Sequence, residues 1–293
     1  MKYEQQDKML GWTRKLKGLL GAVLFGGVKA KNRLRMPFEV KRIRRRPGQS
    51  AGEHWRALVE KGAQDGLTCL LVGIVILMLS VFQYFGVTYP IWFGVVLFGC
   101  CVVLALLRMR KVRREIENWK LGENGEQYVG QILEKEMRPL GYDVFHDIQI
   151  ERTGDKKNLD HVLIGPNGVY LIETKAWRKS EKGSPEIEYK NDKLYRSGKM
   201  VGDAPIKEAL GLAIAANKLF HDLTGRSYYV KPILVFAGWY HRVSMTHESR
   251  ILFLNETGIS SFLPKHKPRD IPSEADMSLL RAKLAVYELK SEE

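Results

Sequence analysis

N-L-D-H-V-L-I-G-P-N-G-V-Y-L-I-E-T-K, residues Asn158 to Lys175, holds two short apolar runs, 162–165 and 169–172, around Gly165-Pro166-Asn167-Gly168. Val, Ile, Leu and Tyr suit a half-buried pleated strand, and Pro-Asn-Gly suits a reversing turn, so the stretch predicts a β-hairpin. It opens on an acid, Asp160, and closes on Glu173-Thr174-Lys175. Side chains two apart on a strand share a face, which projects Glu173 and Lys175 together.

The register stays open at this level. A two-residue turn at Pro166-Asn167 sets Asp160 opposite Glu173, with Cβ atoms ~5 Å apart. Pro166, however, cannot supply the positive φ of the favoured two-residue turns. A type I turn with Gly168 in a left-handed bulge slips the pairing by one and sets Asp160 opposite Thr174.

Two carboxylates and a lysine on one hairpin have a chemical reading. Carboxylate oxygens bind Mg²⁺ or Mn²⁺ and leave positions for water and phosphate. The metal acidifies a bound water, and an ammonium beside it orients that water or stabilises developing charge. The plainer reading is a pair of strand-end acids in a surface ion pair with the lysine.

Neighbouring residues add weight to the first reading. Gly122-Glu123-Asn124-Gly125-Glu126, a helical run, Leu159-Asp160-His161-Val162, Gly165-Pro166-Asn167-Gly168 and Ile172-Glu173-Thr174-Lys175-Ala176-Trp177 together resemble the nuclease-related domain (NERD) family of the PD-(D/E)xK nuclease superfamily. The resemblance spans about Leu121 to Trp239. It implies a restriction-endonuclease-like α/β core with a mixed central sheet flanked by helices. It also implies acidic site positions at Glu126, Asp160 and Glu173, with Lys175 as the lysine. Where the family usually carries Gln after a Pro-x-x step, this chain has Glu208 after Pro205-Ile206-Lys207, and an acid cannot donate the hydrogen bonds of an amide.

Composition points the same way. The 293-residue chain carries a formal charge of +14 and a pI near 9.6, which favours an anionic partner, nucleic acid or acidic lipid. Its three cysteines, Cys69, Cys100 and Cys101, lie in apolar segments with no CxxC or Cys/His spacing, which argues against a zinc site or a disulfide framework. No P-loop, GxGxxG or GxSxG is present.

Along the chain, residues 1–65 form a basic region with an amphipathic helix over 8–28, suited to a membrane interface or to packing on the domain. A basic block over 29–46 follows, suited to a cytoplasmic membrane flank or to phosphates. Leu67–Phe85 is uncharged and about long enough to span a bilayer, and Ile91–Leu107, uncharged and somewhat short, is workable with tilt or snorkelling flanks, so the two predict a transmembrane hairpin over 66–108. Its basic outer flanks place both ends in the cytoplasm, as for a bacterial inner-membrane protein; a buried helical hairpin is the alternative. A helical connector covers 109–121, the nuclease-related domain 122–260 and a C-terminal helical segment 261–293.

Inside the domain, 123–137 is expected to be helical and to end at Gly141, 142–150 to be a strand, and Arg152–Asn158 a polar loop beside Asp160. Two short strands are expected around Asn191-Asp192. A helix from Pro205 to about Leu223 is expected to bury Ile206, Leu210, Ala213, Ile214 and Leu219. Further strands fall at 231–236 and 251–254, and a helix starts at Ser273. His241 and His247 read as surface residues. Trp177, Arg178, Lys179, Lys190, Lys193 and Arg196 are the candidate nucleic-acid contacts, with Trp177, Tyr189 and Tyr195 as stacking candidates.

The resulting expectation is a membrane-anchored, Mg²⁺- or Mn²⁺-dependent nuclease acting on DNA in preference to RNA. Asp160 and Glu173 hold the ion, with Glu126; Lys175 positions or activates water; Glu208 stands behind. The rival is a membrane-tethered adaptor that keeps the fold and binds nucleic acid or protein without cleaving.

Overall fold

The computed structural model describes residues 46–84, 86, 91–152, 155–179, 186–242, 250–266, 268 and 271–290. The amphipathic helix expected over 8–28, the basic block apart from Arg46, and His247 lie outside the described residues. The described chain divides into two units, residues 52–120 and residues 46–51 with 121–290.

The first unit is a pair of helices. Helix α1, Gln49–Tyr84, begins in the second unit and continues through the first. Helix α2, Ile91–Ile132, runs without a break from the second apolar run through the charged connector. The two pack closely where small residues allow: a Cβ on Gly73 would lie 2.9 Å from the Phe98 ring, and Gly94 lies directly against Ser80. Small residues let helix backbones approach in this way. Large apolar side chains such as Leu71, Val75, Met78, Phe82, Val103 and Leu104 point outward. Among the described residues, one helix, over 49–82, is by length and composition long and apolar enough to cross a membrane. Near the charged ends, Ile116 is buried among Trp55, Leu58, Val59, Met109 and Val112. The Lys120 ammonium stands 4.3 Å from the centre of the Trp55 ring, a cation–π contact.

The second unit is built on a five-stranded mixed sheet. Its strands are β1 (Asp143–Arg152), β2 (Asp155–Gly165), β3 (Gly168–Lys175), β7 (Val230–Phe236) and β9 (Leu252–Leu254), in the order β1-β2-β3-β7-β9. The first three are antiparallel neighbours, and β3, β7 and β9 are parallel. The polar loop expected over Arg152–Asn158 is instead ladder, with Ile150 paired to Lys157 and Arg152 to Asp155. Backbone pairing does not need apolar side chains, so a polar ribbon extends the β1–β2 hairpin.

Helices cover both faces. Helix α3 (Ala204–Thr224) and helix α5 (Glu274–Lys290) pack Leu212, Ala216, Phe220, Met277, Leu280 and Leu284 on Val162, Ile164, Val169 and Leu171. The end of α2 and the π-helical turn after it pack Val129, Leu133 and Met137 on Leu163, Tyr170, Ile172 and Ile233. Each fully buried Leu, Ile or Phe contributes about 1.5–3 kcal/mol. The buried stripe of α3 is Ile206, Ala209, Leu212, Ala213, Ala216 and Phe220, and Ile214, expected inside, is 72% exposed. Small Ala209 and Ala216 belong to the buried stripe, while Leu210 and Leu219 are only partly buried.

A second, four-stranded sheet has the order β6-β5-β4-β8. Its strands are β4 (Glu186–Lys190), β5 (Lys193–Arg196), β6 (Lys199–Gly202) and β8 (Tyr240–Arg242). Asn191 and Asp192 both take positive φ, +50° and +57°, as a two-residue hairpin turn requires. Ile187 and Leu194 bury this sheet against Ile206, Phe236 and Phe253. The short α4 (Ile259–Phe262) completes the unit.

Candidate active site

The β2–β3 ladder pairs Gly165 with Gly168, Ile164 with Val169, and so on to His161 with Ile172. The turn is therefore the two-residue Pro166-Asn167, and the same register sets Asp160 opposite Glu173. Gly168 makes this possible with φ +135°, a conformation an L side chain rarely adopts. Asn167 is held from both sides: its Oδ1 accepts from the Tyr142 hydroxyl at 2.6 Å, and its Nδ2 donates to Leu263 O at 2.6 Å and His266 O at 3.0 Å.

At the far end of this hairpin Asp160 and Glu173 are both buried. Asp160 Oδ2 accepts the Thr174 backbone N–H at 2.8 Å, and its Oδ1 lies 3.4 Å from Asn158 Nδ2. Glu173 Oε1 accepts from Lys175 Nζ at 2.8 Å, and the same ammonium donates to Glu208 Oε2 at 2.7 Å. Glu173 Oε2 is buried with no hydrogen-bond partner. Helix α2 brings Glu126 to this end. Gly125 is pressed so close to the strand end that a Cβ would lie 2.4 Å from Ala176 Cβ. Glu126 is partly exposed as a residue, yet its Oε2 is sealed off and unpartnered.

The electrostatics follow from this crowding. Burial, then the charges of Asp147, Glu173 and Glu123 against that of Lys175, push the Glu126 carboxyl up to about 8. Burial, then Glu173 and Glu126, raise Asp160 well above its ordinary range, against the Thr174 N–H and Lys175. Burial also raises Glu173, with Lys175 opposing. Burial works against the Lys175 ammonium, but Glu173 and Glu208 outweigh it and hold the lysine charged. One lysine among several buried acids leaves negative charge without compensation, the condition that attracts a hard cation or a proton. Among the described residues, no group of three or more His, Cys, Asp or Glu side chains is arranged to hold a metal ion. Asp160 Oδ2 is turned to Thr174 and Glu173 Oε1 to Lys175 instead.

Sequence reasoning missed Asp147. It lies fully buried within β1 at φ +52°. Its Oδ1 accepts from Asn158 Nδ2 at 2.9 Å, and its Oδ2 accepts from the Ser50 hydroxyl at 2.9 Å and backbone N–H at 3.1 Å. In the sequence it is one of three polar residues in the alternating strand 144–150, with nothing to mark it out. His161 was passed over as well: its Nδ1 lies 2.8 Å from His146 Nδ1, and His146 Nε2 lies 3.0 Å from Glu134 Oε1. Burial, then His146, pull His161 well below its ordinary range, so it is neutral.

The candidate contacts on the second sheet are mixed. Arg178, Lys179, Lys190, Lys193 and Arg196 are exposed. Trp177 is not a free platform: it packs 4.9 Å from the Phe236 ring with the Arg196 guanidinium 5.5 Å over it. Tyr189 is likewise stacked on Phe253 at 4.7 Å. His241 is half-buried rather than on the surface, edge-on to Phe236 at 5.7 Å, and burial pulls it down to about 4.

Known proteins match this part of the chain. The family model described as the nuclease-related domain matches residues 121–237. An uncharacterized protein of Bacillus anthracis is 31% identical over 85 residues, which are 28% of this chain and 39% of that relative. The match thus spans less than half of the relative's length. No solved structure matches significantly. Glu126, Asp160, Glu173, Lys175 and Glu208 all fall inside residues 121–237, the stretch over which this chain matches the nuclease-related domain model.

Proposed function

We propose that the chain is a membrane-anchored, divalent-metal-dependent phosphodiesterase acting on nucleic acid, DNA before RNA. The observation that carries this reading is the buried Asp160–Glu173 pair with Glu126 beside it, two of whose oxygens, Glu173 Oε2 and Glu126 Oε2, have no partner. Hard carboxylate oxygens with spare lone pairs, in excess of nearby cations, fit Mg²⁺ or Mn²⁺. Asp160 and Glu173, with Glu126, would hold the ion, after small rotations away from Thr174 and Lys175. When bound, it supplies an acidified water and offsets phosphate charge.

The chain's own groups do the rest. Lys175 stays protonated, so it positions water or a phosphate oxygen and does not act as a base. Glu208 fixes the other side of that ammonium. Arg178, Lys179, Lys190, Lys193 and Arg196 offer exposed cations for a phosphate backbone, whose affinity then falls steeply with salt. Trp177 supports Arg196 through its ring face. The apolar α1, and the outward apolar side chains of the first part of α2, make a transmembrane hairpin with the domain in the cytoplasm.

The test is cleavage of plasmid and single-stranded DNA by the full chain in Mg²⁺ or Mn²⁺. The reading expects cleavage that EDTA stops and that Glu173→Ala or Lys175→Ala reduces by at least about 100-fold, as loss of an electrostatic group does. Equal cleavage by the variants removes these residues from the mechanism. The Lys175–Glu208 ion pair favours a second reading, a non-cleaving adaptor, because it neutralises the lysine. Salt-dependent DNA binding without cleavage in either metal selects it.

A further inference from the structure

We propose that Asp147 is a positioning residue of this site and that Ser50, in the first turn of α1, holds it in place. The proposal rests on the ion-site reading above. Four observations carry it. Asp147 is fully buried and sits at φ +52° inside a strand, where most residues are extended. Left-handed backbone at a buried non-glycine persists only where surrounding contacts over-determine it. Its carboxylate is the hub of a short chain: Ser50 N–H and Oγ–H to Oδ2, and Asn158 Nδ2–H to Oδ1. Asn158 Nδ2 also lies 3.4 Å from Asp160 Oδ1, so Asp147 sets the amide that faces an ion-binding carboxylate.

The segment before Ser50 is wedged against the same helix face as Glu126. A Cβ on Gly130 would lie 2.4 Å from Pro47 Cγ, and one on Gly48 would lie 2.9 Å from Glu123 O. Positions 123, 126 and 130 share one face of α2. Residues 47–50 therefore bear on α2 at Glu123 and Gly130, a turn to either side of Glu126, and hold Asp147 through Ser50. Pro47 and Gly48 are buried, as a structural wedge requires. Partners behind metal-binding carboxylates fix ligand orientation, and their loss costs about 10–100-fold in metal affinity.

The experiment measures Mn²⁺ affinity of the full chain in detergent by titration calorimetry and by the electron paramagnetic resonance signal of bound Mn²⁺. The variants are Ser50→Ala, Ser50→Thr, Asp147→Asn and, as reference, Asp160→Ala. The proposal expects about tenfold weaker binding in Ser50→Ala, recovery in Ser50→Thr, and a larger loss with an altered Mn²⁺ signal in Asp147→Asn. Ser50→Ala removes only a hydroxyl from a partly buried position, so it keeps the test valid if Asp147→Asn fails to fold. Wild-type affinity in Ser50→Ala, with binding lost in Asp160→Ala, overturns the positioning role and leaves the ion site standing. Absence of Mn²⁺ binding in the wild type overturns both.

Discussion

At the residue scale, Lys175 and its two partners make the sharpest statement. One ammonium bridges Glu173 and Glu208, and Glu208 is about half exposed. An ion pair this open is worth up to ~1 kcal/mol, so Glu208→Gln is expected to cost less than that in stability. It also leaves Lys175 to a single acid and restores an amide that can donate. The expected outcome is DNA cleavage that rises several-fold over wild type, measured at fixed Mg²⁺; a loss of cleavage would make Glu208 itself a required group. The raised acids give a pH prediction. Glu126 is pushed up to about 8 in the fold against an ordinary value of 4.5. The folded state therefore binds more protons between those values, and its stability falls as pH rises through them. In metal-free buffer the melting temperature is expected to drop from about pH 5 to pH 8, and Mn²⁺ to restore more at pH 8 than at pH 5. A flat metal-free profile contradicts this. Glu134, held low by hydrogen bonds from His146 and Arg138 despite its burial, acts below this window.

At the element scale, the hairpin is set from a distance. Tyr142 lies on Gly165, where a Cβ would come 2.0 Å from its ring, and its hydroxyl holds Asn167. Gly165→Ala must move that ring and disturb the turn, at a cost of about 1–3 kcal/mol, the range for overpacking; urea denaturation measures it, and an unchanged midpoint contradicts it. This explains what was legible. Alternating apolar runs and the Asp160, Glu173 and Lys175 charges are local, so the hairpin and its polar end could be read directly. Its register could not, because Pro166-Asn167 is pinned by Tyr142, Leu263 and His266, the last two about a hundred residues away. Asp147 was invisible for the same reason: its partner Ser50 is 97 positions distant. The strands β6 and β8 were missed because each is very short and lacks a clear alternation.

At the scale of the whole molecule, the stretch that matches the nuclease-related domain model follows helices whose apolar side chains face outward. Among the described residues no core covers them, and the membrane anchor proposed above assigns those side chains to lipid. The chain is expected to stay in the membrane fraction through high-salt and alkaline washes, assayed by sedimentation and immunoblot. Release by salt alone would reduce the attachment to electrostatics. The formal charge of +14 is the sequence feature behind the proposed attraction of anions, whether phosphates or lipid headgroups.

In the proposed site the carboxylates of Asp160 and Glu173 share one divalent ion. Crystals of the full chain grown with saturating Mn²⁺ address it through the anomalous scattering of manganese. The expected peak lies between the two carboxylates and next to Glu126. A peak elsewhere, or none at saturating Mn²⁺, contradicts it.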